Sequence, residues 1–155
     1  MVTRKRMEPQ MKLARIALSV ALLLTAIPAF AAEIEVQMLN KGEKGAMVFQ
    51  PDLVRIAVGD TVTFHSVDKG HNVEGIAAMM PAGAPAFKSK LSETFTQTFS
   101  APGIYAVKCD PHFGLGMVAL VVVGDDLSNL DALKASKNPK KPQDHFDALF
   151  AELGQ

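Results

Sequence analysis

Ile104-Tyr105-Ala106-Val107-Lys108-Cys109-Asp110-Pro111-His112-Phe113-Gly114-Leu115-Gly116-Met117-Val118-Ala119-Leu120-Val121-Val122-Val123 contains two apolar, β-branched runs separated by a short loop bearing proline and glycines. Ile104–Cys109 reads as one strand, entered through the Pro102-Gly103 turn. Met117–Val123 reads as a second, and its unbroken apolar run marks a strand buried on both faces. Residues two apart on a strand share a face, so Tyr105, Val107 and Cys109 point inward together and place the thiol at the inner end of its strand. Cys109, His112 and Met117 then lie on one tight loop. His71, in Gly70-His71-Asn72, precedes Cys109 by 38 positions.

Working outward, the rest of the chain after residue 31 carries the same signals. Glu33–Leu39 alternates through Ile34, Val36 and Met38. Asp52–Val58 and Thr61–Val67 are predicted strands on either side of the Gly59-Asp60 turn, and Ser92–Phe99 alternates through Phe95, Gln97 and Phe99. Gly42 and Gly45 mark a loop after the first strand, and residues 75–90 read as a long loop with one helical turn. Short strands joined by Gly/Pro turns, with no helix between them, predict a mainly β, antiparallel sandwich. After Gly124 the period changes. Leu127, Leu130 and Leu133 predict one helix capped by Ser128 or Asn129. Phe146, Leu149, Phe150 and Leu153 form an i, i+3, i+4, i+7 stripe on a second, with Pro142 in its first turn. Both helices are expected on one face of the sandwich.

The chain has 155 residues, which favours one domain. Arg4, Lys5, Arg6, Lys12 and Arg15 precede an apolar stretch from Ile16 to Ile27, and Ala29-Phe30-Ala31 fits a signal-peptidase site. Residues 1–31 are expected to be a signal peptide cleaved after Ala31, leaving a 32–155 domain and no membrane anchor. The leader takes five of the 16 basic residues and one of the 16 acidic ones, Glu8, so the mature chain carries 11 against 15, a net charge of −4. That balance argues against a nucleic-acid partner, which needs a basic face.

The single cysteine excludes a disulfide framework. Alone, Cys109 would read as a small core residue. Taken with two imidazoles and a thioether at strand ends, it reads as a metal ligand. Structural zinc favours several thiolates or paired Cys and His; a His-His-Cys set with a weak axial Met suits electron-transfer copper. Thus His71, Cys109, His112 and Met117 are the candidate ligands. An enzyme would need further histidines to bind substrate at additional copper, and the remaining two, His65 and His145, form no His-x-His pair. The rival reading is a copper-binding or chaperone protein of the periplasm. It would favour open Met- or His-rich tracts, of which Met79-Met80 is the sole hint.

Met38-Leu39-Asn40-Lys41-Gly42, Gly45-Ala46-Met47-Val48-Phe49, Gly59-Asp60-Thr61-Val62-Thr63-Phe64, Val67-Asp68-Lys69-Gly70-His71-Asn72-Val73-Glu74, Phe87-Lys88-Ser89-Lys90 and Pro102-Gly103-x-Tyr105-x-Val107-Lys108-Cys109 resemble the pseudoazurin family of cupredoxins. The resemblance extends over residues 33–155. It implies an eight-stranded Greek-key sandwich and one type 1 (blue) copper held by His71, Cys109, His112 and Met117. It also implies a monomeric periplasmic electron carrier serving copper nitrite reductase, another denitrification enzyme or cytochromes. By the same resemblance, Asn72 gives its backbone N–H to the Cys109 sulfur, Asn40 ties the two ligand loops together, and Met47 lies against His112. Lys41, Lys69, Lys88, Lys90 and Lys108 would ring the copper end and steer an acidic partner. Asp110, Phe113 and His65 depart from the family pattern. His65 reads as a strand residue, and His145 is expected to face solvent.

Overall fold

The computed structural model describes residues 31–154. Eight strands form two four-stranded sheets. The first sheet holds β1 (Glu33–Gly42), β2 (Gly45–Gln50), β4 (Thr61–Ser66) and β6 (Phe95–Thr98), in the order β2-β1-β4-β6. The second holds β3 (Leu53–Ile56), β5 (Glu74–Gly75), β7 (Gly103–Lys108) and β8 (Val118–Val123), in the order β3-β8-β7-β5. The signal-peptide expectation falls mainly on residues 1–30, outside the described residues. Among the described residues no helix is long and apolar enough to cross a membrane.

The sandwich is mixed, not antiparallel throughout as expected. β1 runs parallel to β4, with Val36 opposite Phe64, and β3 runs parallel to β8, with Val54 opposite Val121. From β2 to β7 each successive strand changes sheet, so strands distant in sequence become neighbours, and two such pairs run the same way. β2 was also unforeseen: Gly42 and Gly45 close a tight hairpin, and the chain after them pairs back on β1 from Gln37↔Gln50 to Gly42↔Gly45. The glycines had read as a loop because the strand after them lacks a clean alternation.

Between the sheets lies one core of Val36, Met38, Phe49, Val62, Phe64, Phe99, Tyr105, Val107, Ala119 and Val121, into which Cys109 and Met117 also point. Tyr105 sits edge-on to Phe99, their centroids 4.9 Å apart, and gives its hydroxyl hydrogen to the Ala101 carbonyl at 2.8 Å. The opposite face of β7 and β8 meets a second core. There Ile104, Ala106, Val118, Leu120 and Val122 pack against Leu133 of α1 (Leu130–Ala135) and Phe146, Leu149, Phe150 and Leu153 of α2 (Lys140–Leu153). This double coverage is why residues 118–123 are all buried and read as an unbroken apolar run. Each of those helix side chains contributes about 1.5–3 kcal/mol of burial. Asn129 precedes α1 but does not cap it with its side chain. Its carboxamide instead accepts from the Ile104 N–H at 3.0 Å and donates to the Ile104 carbonyl at 2.8 Å, tying the helical segment to β7.

Candidate metal centre

Cys109 directly follows β7, and the chain then turns through a short 3-10 helix, Asp110–Leu115, which Pro111 opens with a fixed φ and no N–H to satisfy. Gly116 closes the turn at φ +92°, in the left-handed region that glycine adopts without strain. The Cys109 N–H donates to the Met117 carbonyl at 3.0 Å, and the Met117 N–H donates to the His112 carbonyl at 3.2 Å. A closed nine-residue loop, 109–117, thus presents Cys109, His112 and Met117 from one rigid base.

His71 comes from the segment joining β4 to β5, and its backbone is held independently. Its carbonyl accepts the Ser92 N–H at 2.8 Å, and the preceding Gly70 N–H donates to Ser92 Oγ at 2.9 Å. The fold thereby brings three donor atoms together. His71 Nδ1 lies 3.1 Å from His112 Nδ1 and 3.7 Å from Cys109 Sγ, and His112 Nδ1 lies 3.5 Å from the same sulfur. Bond lengths of about 2.0 Å to nitrogen and about 2.3 Å to sulfur, typical of a bound transition metal, place ligand atoms at such mutual separations. Met117, like His71 and Cys109, is fully buried, and it lies in the same core as Cys109.

The chemistry of the set also fits a metal. Asn40 Oδ1 lies 2.9 Å from His71 Nε2. A carboxamide oxygen can only accept, so Nε2 carries the proton and Nδ1 presents its lone pair toward Cys109 and His112. Burial pulls the His71 pKa down, and the neighbouring His112 adds to the effect, which favours the neutral imidazole that binding a metal would require. Burial pushes the Cys109 thiol up, while the N–H groups of Asn72 and His112 act against it. A cation in the pocket supplies the charge that a buried thiolate otherwise lacks.

The role expected for Asn40 belongs in part to Asn72. Asn40 fastens the His71 ring, whereas the Asn72 side chain links the two ligand segments: its Oδ1 accepts the Asp110 N–H at 2.8 Å. Ser89, which carries no role in the sequence reading beyond its place in Phe87-Lys88-Ser89-Lys90, locks the flank of His71. Its Oγ accepts the Val73 N–H at 3.0 Å and its own N–H donates to the Val73 carbonyl at 2.9 Å. Met47 lies beside Leu115 and Gly116 with φ +53°, an uncommon conformation for a side-chain-bearing residue.

At the surface, His112 is partly exposed among Pro111, Gly114 and Leu115, the last 52 % exposed. Phe113 turns partly toward the helix-side core, with the Lys108 ammonium 5.4 Å from its ring centroid. Asp110 binds both Lys88 and Lys108, the latter at 2.9 Å, and Glu74 lies 3.0 Å from Lys88. Those two lysines hold the Asp110 carboxyl down to about 2. The expected lysine ring is therefore divided: Lys88 and Lys108 are paired internally, while Lys41, Lys69 and Lys90 are exposed and make no ion pair among the described residues. His65 stands in β4 as expected, 3.4 Å from Glu35 and remote in role from the cluster. His145 does not face solvent freely. Its Nδ1 lies 2.8 Å from the Gly116 carbonyl and its Nε2 2.8 Å from the buried Asp52 carboxylate.

A family model described as copper binding proteins, plastocyanin/azurin family, matches residues 36–124. Pseudoazurin of Paracoccus pantotrophus is 54 % identical over 137 residues, covering 88 % of this chain and 94 % of its own. A putative pseudoazurin of Rhizobium leguminosarum bv. viciae is 47 % identical over 143 residues, covering 92 % and 94 %. The refined crystal structure of pseudoazurin from Methylobacterium extorquens AM1 superposes with a TM-score of 0.77 at 47 % identity, covering 79 % of this chain and 99 % of that one.

Proposed function

The chain belongs to the copper-binding plastocyanin/azurin family, and within it to the pseudoazurins; on that premise we propose that it is a periplasmic electron carrier, not an enzyme, whose single type 1 copper is held by His71, Cys109, His112 and Met117. Copper held there supplies a one-electron couple, favoured by a His-His-Cys set with a thioether beside it. The convergence of His71 Nδ1, Cys109 Sγ and His112 Nδ1 within 3.1–3.7 Å of one another carries this reading.

The protein's own residues do three things. Asn40, Asn72 and Ser89 fix the ligand segments by hydrogen bonds, so that the site reorganises little when its charge changes. Burial of Cys109, His71 and Met117 keeps water from the sulfur ligands. The partly exposed His112 ring gives the electron a short path to the surface through the patch of Pro111, Gly114 and Leu115. Beside that patch runs a groove lined by Asn72, Lys88, Lys90, Leu91, Asp110 and Pro111. An apolar landing area beside Lys90, exposed and unpaired among the described residues, suits a brief encounter with an acidic redox protein, for which we propose copper nitrite reductase or a periplasmic cytochrome.

Export completes the proposal: residues 1–31 are a signal peptide and 32–155 the mature domain. The Arg/Lys-rich start, the apolar stretch to Ile27 and the Ala29-Phe30-Ala31 step support it. The test is to mix the reduced, colourless copper protein with purified oxidised copper nitrite reductase and follow the return of its colour as it gives up its electron. Transfer that slows as salt screens the attraction supports the assignment. No transfer to the reductase or to a cytochrome, with copper bound and reducible, contradicts it.

A further inference from the structure

His145 belongs to α2, yet both of its ring nitrogens leave the helix for the sheet side of the molecule. Nδ1 meets the carbonyl of Gly116 at 2.8 Å and Nε2 meets Asp52 Oδ2 at 2.8 Å. Both partners are acceptors. A neutral imidazole has one N–H and could satisfy only one of them; both bonds together require the doubly protonated ring. Asp52 is 5 % exposed, and its other carboxylate oxygen accepts from Lys44 Nζ at 2.8 Å, so the carboxylate is fully engaged.

The Gly116 carbonyl is one half of the peptide joining Gly116 to Met117. The other half, the Met117 N–H, is held by the His112 carbonyl at 3.2 Å. The unit preceding the thioether is therefore gripped from both sides. Lys141 of α2 crowds it as well, its backbone carbonyl oxygen standing 3.4 Å from where a Gly116 Cβ would be.

We propose that His145, as the imidazolium, is a positioning residue of the metal centre: it clamps the Gly116–Met117 peptide to Asp52 and so sets where the Met117 side chain sits. The inference rests on Met117 being a ligand. The charged groups around His145 are Asp52 before β3, Lys44 in the β1–β2 turn with Glu152 bonded to it, and Lys141 and Asp144 on α2 itself. Asp52 is the nearest and raises the His145 pKa, with burial acting in the opposite sense and the Gly116 carbonyl adding to the rise.

The test uses the full copper-loaded mature protein. NMR of the reduced form follows the protonation of His145, and visible spectra of the oxidised form follow the ratio of the two thiolate charge-transfer bands. The ratio is expected to stay constant while His145 is doubly protonated and to shift as pH rises through its titration. His145→Gln is expected to show the high-pH ratio at every pH. A coloured wild type whose His145 titrates with no change in the ratio overturns this inference alone, as does a His145→Gln spectrum equal to that of the acidic wild type. If His145→Gln does not fold, the wild-type comparison decides. A wild type that binds copper without colour defeats the electron-carrier reading, and the inference with it.

Discussion

Asn40 and His71, 31 residues apart, meet at 2.9 Å through Oδ1 and Nε2, while the other nitrogen of the same ring faces Cys109 and His112. One hydrogen bond thus selects the tautomer and aims the lone pair. Asn40→Leu keeps the bulk and removes the acceptor, leaving a buried N–H without a partner. Copper affinity is expected to fall about 10–100-fold, the usual effect of losing such an outer partner. Competition with a chelator of known affinity measures it; unchanged affinity would remove the role assigned to Asn40.

Asp110 and Glu74 together neutralise Lys88 and Lys108 beside the 109–117 loop. Asp110→Asn is expected to leave Lys88 and Lys108 with Glu74 as their one carboxylate, adding one net positive charge there, to raise the low-salt rate of electron transfer to an acidic partner several-fold, and to steepen its fall with ionic strength. Stopped-flow rates at several salt concentrations check this. A salt dependence no steeper than the parent's would leave these lysines without a steering function.

The His145–Asp52 pair makes stability depend on pH in a defined sense. The His145 pKa is raised in the folded protein, chiefly by its bond to Asp52. Its contribution is therefore full below the unfolded value of about 6.5 and is lost as pH rises through the raised folded value. Burial pushes Asp52 up, but the bonds from His145 and Lys44 outweigh it and its pKa is lowered. That contribution is present above the unfolded carboxylate value and is lost as pH falls through the lowered one. In urea unfolding, His145→Gln is expected to cost about 2–3 kcal/mol in mildly acidic buffer, the scale of a hydrogen bond to a charged group, and progressively less as pH rises. An equal cost at every pH would show that the ring works without its charge.

Phe146 is fully buried between α2 and the outer face of β8, stacked on Phe150 with centroids 6.0 Å apart. Phe146→Ala is expected to cost about 3–5 kcal/mol in denaturant unfolding, from lost burial and the cavity left behind. A loss below about 1 kcal/mol would mean that the helices are an appendage rather than part of the core.

Much of this molecule is written in local pattern. The alternation of Ile34, Val36 and Met38, the Tyr105-x-Val107-x-Cys109 face and the helical stripe of Phe146, Leu149, Phe150 and Leu153 each place their residues where the structure has them. That His71, Cys109 and His112 would meet was legible because two imidazoles and a thiol at strand ends are hard to explain otherwise, and their donor atoms lie within 4.8 Å of one another. The parallel pairs β1/β4 and β3/β8 were not, since strand direction depends on which sheet the chain crosses to, and no local period encodes that. The hairpin strand Gly45–Gln50 escaped because its two leading glycines read as a loop. The long-range polar ties were hidden for a related reason: Asn72 to Asp110 spans 38 residues and His145 to Asp52 spans 93. A lone polar residue on a predicted helix or turn says nothing of a partner so distant.

The most direct test is a titration of the purified mature chain with Cu(II), read by visible absorption and EPR, beside Cys109→Ser and Met117→Leu. The account predicts saturation at one equivalent with an intense thiolate-to-copper band and the EPR signature of a type 1 site, the band abolished in Cys109→Ser and shifted in Met117→Leu. A colourless complex, or a band that survives the loss of Cys109, would contradict it.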